Sequence, residues 1–278
     1  MSKTVSELIN DNLFDCARQC IDCADPVEKC NLSHRVFEAL QTARLDCRSS
    51  NEPGAIGKPG RPARPRLVPP RDLPRRRLGN PEGRASLLHA LAHIEFNAIN
   101  LAWDAVYRFR SMPEDFYRDW ARVAFEESYH FRLLCERLGS LGCSYGDFDA
   151  HDGLWEMACK TAHDPLVRMA LVPRVLEARG LDVTPGIIQR LKDTGDKESV
   201  EVLQIILRDE IGHVEIGTRW FRYLCTDREL DPEKTFAQLL QAYMKGQVKK
   251  PFHYQAREQA GFNKAEMEHL EELASGKK

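Results

Sequence analysis

The sequence predicts an all-α protein: a four-helix bundle with one long crossover, preceded by N-terminal helices and followed by a C-terminal helical extension. Three observations carry this. Two Glu-x-x-His motifs occur, Glu127-Ser128-Tyr129-His130 and Glu210-Ile211-Gly212-His213. Each has a single glutamate at nearly the same distance upstream, Glu95 32 residues before Glu127 and Glu177 33 residues before Glu210. All six residues fall on apolar helical stripes, as two helical hairpins would place them at one level of a bundle.

In chain order, residues 1–49 predict a helical N-terminal segment of two helices. The second opens at Asp25, with Pro26 in the first turn and Glu28 at the capping-box position. Cys16, Cys20 and Cys23 recur at i, i+4, i+7 on the face of Leu13. With Cys30 they suggest small buried side chains in preference to a zinc or iron–sulfur site. Nine scattered cysteines in 278 residues predict reduced thiols.

Residues 50–83 form a Pro/Arg-rich strap. Lys58 to Arg84 holds nine Lys/Arg against Asp72 and Glu82, and seven prolines that favour extended chain over helix. The whole chain has a net charge of −2, so the remainder is strongly acidic. That favours docking of Arg61, Arg64, Arg66, Arg71, Arg75, Arg76 and Arg77 on the chain's own acids. Nucleic-acid phosphates are the alternative partner of 58–84, but few aromatics interleave the arginines.

Residues 84–225 predict the bundle. On the helix from 84 to 109, Leu88, Leu91, Ala98, Ile99, Ala102, Val106 and Phe109 lie within about 60° of Glu95, whereas His89 and His93 project away and are not expected ligands. On the helix from 114 to 138, Phe116, Trp120, Val123, Ala124, Phe131, Leu134 and Leu138 surround Glu127 and His130. On the last, 197 to 224, Leu203, Ile206, Leu207, Val214, Gly217, Phe221 and Leu224 surround Glu210 and His213. The third is irregular. Leu166, Ala170 and Leu181 share the side of Glu177, but Pro165, Pro173 and Gly180 to Pro185 interrupt it, predicting a break just after the ligand and a fresh N-cap at Thr184. The 46 residues between His130 and Glu177 suit a long crossover, with an ordered polar loop over 145–153. Residues 226–278 predict one or two polar helices.

Four glutamates in an apolar interior require compensating charge, and two divalent cations would supply it. Oxygen donors with two imidazoles and no thiolate suit two iron ions, with manganese as the alternative. The expected arrangement has Glu95 and His130 on one metal, Glu177 and His213 on the other, and Glu127 and Glu210 bridging. Glu126 and Asp209, each preceding a motif glutamate, are candidates to orient the imidazoles, Asp209 on His130 and Glu126 on His213. His151, His163, Tyr107, Tyr129 and Arg179 are left outside the site.

The runs His89 to Glu95, Asp119 to His130, Tyr145 to Trp155, Pro173 to Asp182 and Asp209 to His213 resemble a bacterial family of ferritin-like proteins of unknown function. The resemblance covers nearly the whole chain, including the basic strap and Ala260-Gly261-Phe262. It implies the ferritin-like fold and the metal site, and hardly constrains the reaction. More remotely, the ligand pattern is similar to ferritin-like tRNA hydroxylases and other di-iron oxygenases.

The expected function is therefore an oxidoreductase or hydroxylase with O2 as co-substrate, needing an organic substrate and an electron donor. The alternatives are a ferroxidase or iron-handling protein, and a binding protein with structural metals. The long crossover and extra segments favour an enzyme, since a substrate pocket needs such additions. No apolar run reaches about 18 residues, so no membrane partner is expected and a cytoplasmic location is the default.

Overall fold

The computed structural model describes residues 11–48, 51–74 and 78–276, and among them every regular element is helical. The chain divides into two compact units, Met1–Glu156 and Met157–Lys278.

The first unit is built on α1 (Leu13–Asp22), α2 (Pro26–Gln41), α3 (Pro81–Arg108) and α4 (Glu114–Ser140). Polar caps set three of the starts: Asn12 for α1, Asp25 for α2 and Asn80 for α3, each side chain accepting from backbone N–H groups of the first turn. Only half of the expected capping box forms at α2. Asp25 accepts from Glu28 N at 2.8 Å, but the Glu28 carboxylate turns to Arg35 at 2.7 Å. The four residues between Arg108 and Glu114 that follow Phe109 force α3 and α4 into an antiparallel hairpin. Helix α1 packs on α3 and α2 on α4. Trp103 on α3 donates to Ser33 on α2 at 2.8 Å.

A buried lysine ties this layer together. Lys29 Nζ donates to Cys20 O and Ile21 O at the end of α1, at 2.6 and 3.0 Å, and to Asn100 Oδ1 on α3 at 2.6 Å. A cation at a helix C-terminus meets carbonyls that the helix itself leaves unpaired. Burial nonetheless pulls the Lys29 ammonium down to about 8. Cys16, Cys20 and Cys30 are buried free thiols. Burial pushes Cys30 up to about 11 and Cys20 further, which leaves them protonated and inert, as small apolar fillers should be.

Over residues 60–68 the strap is tied to its own unit. Gly60 N donates to Ile21 O at 2.8 Å, and a Cβ there would stand 2.1 Å from Asp22 O, so only glycine fits. Arg61 forms a two-pronged pair with Asp152 at 3.0 and 3.1 Å, and Arg66 another with Asp149. Val68 N and Ala150 O, and Ala150 N and Arg66 O, close a short backbone ladder between strap and crossover loop. Arg71 stands 3.7 Å from its neighbour Asp72. Arg75, Arg76 and Arg77 lie outside the described residues, as does the start of the first predicted helix.

Helix α5 (Gly153–Lys160) carries the chain into the second unit, which comprises α6 (Pro165–Leu171), a π-helical turn (Val172–Glu177), α7 (Ala178–Asp193), α8 (Lys197–Asp227), α9 (Pro232–Tyr243), α10 (Tyr254–Gln259) and α11 (Lys264–Ala274). The expected break after Glu177 is not found. Helix α7 runs on through Gly180 and takes Pro185 into its interior, so Thr184 is no N-cap. The irregularity falls before the glutamate instead. Pro173 has no N–H for Met169 O and its ring crowds that carbonyl, and the wide i→i+5 turn relieves both defects. Its ring seats on α8 at Gly217, where a Cβ would come within 2.2 Å of Pro173 Cγ.

The C-terminal extension also differs from expectation. It holds three helices and not one or two, and they carry an apolar core of Phe236, Leu240, Phe262, Met267 and Leu270. No helix among the described residues is long and apolar enough to cross a membrane.

Candidate metal centre

In the first unit Glu95 projects from α3, and Glu127 and His130 from successive turns of α4. One donor atom of each lies within 4.8 Å of the others. His130 Nδ1 stands 3.3 Å from Glu127 Oε2 and 3.7 Å from Glu95 Oε2. All three residues are buried. The apolar stripes explain why: a residue centred on each stripe faces the hairpin interior.

The second unit repeats the motif. His213 is buried on α8 with Nδ1 3.8 Å from Glu210 Oε2, one turn earlier. Thus both motifs turn the Nδ1 of the histidine toward their own glutamate, leaving Nε2 for an outer partner. Glu177 closes the π-helical turn, which packs against α8. It is half-buried, at the junction of that turn with α7.

The donor set fits divalent metal. With bonds of about 2.0–2.2 Å, adjacent donors on one ion stand roughly 3.0–3.5 Å apart, and the 3.3 Å between His130 and Glu127 is such an edge. Carboxylates and imidazoles, without thiolate, suit iron or manganese. No metal-ligating group of cysteines is present among the described residues.

Of the two flanking acids, Glu126 lies 4.0 Å from Arg122 on the same helix face, and Asp209 pairs with Arg208 at 2.8 Å. Both are partly exposed.

Three residues beside the first half-site escaped the sequence reading. His89 and His93 point off the apolar stripe of α3, as expected, and yet both are buried. The loop after α4 covers them. His93 Nδ1 meets Tyr145 OH at 2.9 Å, and its Nε2 faces His151 O at 3.1 Å. The carbonyl can only accept, so Nε2 carries the proton and Tyr145 donates to Nδ1. Asn97 Nδ2 donates to His93 O at 2.8 Å and lies 3.1 Å from Nε2. His89 Nε2 accepts from Gly146 N at 2.9 Å, where φ is +110°. Tyr145 itself packs on Phe96 and Phe131, the neighbours in sequence of Glu95 and His130.

Comparison with known proteins places these residues in a family. A protein of Haemophilus influenzae (strain Rd KW20) described as "Uncharacterized protein" is 46% identical over 260 residues, covering 90% of each chain. No solved structure matches the chain. The family model described as "Protein of unknown function (DUF455)" matches residues 22–268, a span that holds all six candidate ligands, and the chain belongs to that family.

Proposed function

We propose that the two half-sites join in a ferritin-like four-helix bundle as one dimetal carboxylate centre, and that the protein is an O2-dependent oxidoreductase. The observation that carries this reading is the repeated geometry: each Glu-x-x-His pair sets its imidazole Nδ1 beside its own carboxylate, at 3.3 and 3.8 Å. In the joined site Glu95, Glu127, His130, Glu177, Glu210 and His213 would together hold the two ions. Two divalent ions match the four carboxylate charges, which otherwise could not share an apolar interior. Asp209 and Glu126 would accept from the outer Nε2 groups of His130 and His213 and fix their tautomers.

Bound iron would supply the O2 chemistry, here a hydroxylation or related two-electron oxidation of an organic substrate with an external electron donor. The chain's part is to hold the ions, exclude water with the apolar stripes and orient the substrate.

Anaerobic loading with Fe(II) followed by exposure to O2 tests the reading. Uptake should stop after oxidation of about two Fe(II) per chain and restart only with an electron donor. Continued oxidation of tens of Fe(II) per chain would identify an iron-handling protein instead.

A further inference from the structure

The Glu177 segment is gripped on both sides by the C-terminal extension. Three residues before Glu177, Arg174 has a fully buried side chain. Its guanidinium stands 4.7, 4.0 and 4.7 Å from the ring centres of Phe221 on α8, Phe236 on α9 and Phe262 before α11. Its charge is met by Glu266 of α11 at 2.5 Å. Five residues after Glu177, Asp182 on α7 takes two bonds from Arg257 of α10, at 2.8 and 2.7 Å, and a third from His253 N at 2.9 Å. Arg257 stacks on Phe252 and Phe262. One aromatic ring, Phe262, therefore touches both arginines.

A guanidinium enclosed by three rings and one carboxylate is a costly arrangement. Burial draws even Arg174 down to about 10. Breaking such a pair leaves an uncompensated charge, so each partner holds the other in place. Glu266 has little freedom to yield, because it also accepts from Asn263 N at 3.0 Å in the capping box that starts α11. A π-helical turn is a weakly determined stretch of backbone, and here its last residue is the ligand.

We infer that Arg174 and Glu266 are positioning residues for Glu177: the C-terminal helices are a clamp that sets the π-helical turn and so completes the second half of the metal site. This rests on the dimetal reading above.

The test uses the full chain, with Glu266→Gln as the principal variant. Gln can still accept from Asn263 N but offers Arg174 no charge. Leu40→Ala, a buried apolar truncation on α2 of the first unit, controls for lost stability. Two readouts apply: amide hydrogen exchange of residues 172–177 in the metal-free protein, and anaerobic Co(II) titration followed by its ligand-field spectrum. In Glu266→Gln the 172–177 amides should exchange faster, and one of two Co(II) should bind roughly ten- to a hundredfold more weakly with the other unchanged. Leu40→Ala should retain both parental affinities at a comparable melting temperature. Parental exchange and parental Co(II) binding in Glu266→Gln, or the same losses in Leu40→Ala, overturn the clamp. A parent chain that binds fewer than two Co(II) instead refutes the dimetal reading, and the exchange data then decide the clamp alone. If Glu266→Gln does not fold, Phe262→Leu, which thins the stack on both arginines, takes its place with the same expected outcomes.

Discussion

Replacing Gly217 by alanine should destabilise the protein, against the ordinary rule for helices. In a helix interior Gly→Ala gains about 0.5–1 kcal/mol, from reduced freedom of the unfolded chain and better helix propensity. At Gly217 the new methyl would stand 2.2 Å from Pro173 Cγ and 2.3 Å from its Cβ, where carbon atoms prefer roughly 3.5–4.0 Å. The gap between α8 and the π-helical turn must open by more than about 1 Å, and a pyrrolidine ring cannot rotate aside. Overpacking of this kind costs about 1–3 kcal/mol, more than the propensity gain, so a net loss of about 1–2 kcal/mol is expected. Gly186, inside α7 with nothing within 4 Å of its would-be Cβ, is the internal control and should follow the ordinary rule. Urea unfolding of parent, Gly217→Ala and Gly186→Ala reads both signs on one scale. The melting temperature should fall by roughly 2–8 °C in the first variant and rise in the second. A Gly217→Ala protein as stable as Gly186→Ala would refute the seating of Pro173 on α8.

Other outcomes follow from the first unit. Burial, with His89 and Arg61 nearby, holds the His93 imidazole down at about 4 from 6.5. The unfolded chain then binds a proton between pH 6.5 and 4 that the native metal-free chain does not, so stability falls as pH drops through that window by up to about 3 kcal/mol. His93→Gln should flatten that part of the profile in denaturation series, and an unchanged slope would reject the burial of a neutral imidazole. Arg61→Ala removes the two-pronged pair with Asp152 and should speed limited proteolysis within residues 51–74, while melting shifts by less than about 2 kcal/mol equivalent. Unchanged cleavage would mean that Arg61 does not hold the strap.

Much of this was legible because helices declare themselves by period. The stripes around Glu95, Glu127 and Glu210 gave three long helices with their buried faces, and the cap at Asp25 gave one start, whereas the Asn80 cap that opens α3 at Pro81 was not foreseen. What periodicity cannot show is coverage from outside the stripe. His89 and His93 point away from Glu95, and only the loop that folds back over α3 buries them. Nor does sequence tell how a proline will be absorbed. Pro173 and Pro185 look alike as helix breakers, yet one produces a π-helical turn because Gly217 leaves room for its ring, and the other sits in a continuous helix. The C-terminal helices read as polar because their apolar residues are few and widely spaced. Their core is completed by Arg174 and Arg257, which composition counts as surface residues.

Metal stoichiometry tests the central claim most directly. The purified full-length chain, stripped of metal and titrated with Fe(II) without O2, should bind two ions, as four carboxylates and two imidazoles require. Elemental analysis of Glu127→Ala and Glu210→Ala, one from each half-site, should show reduced loading in both, while His89→Ala loads like the parent. Full two-ion loading in both glutamate variants would contradict a shared dimetal centre.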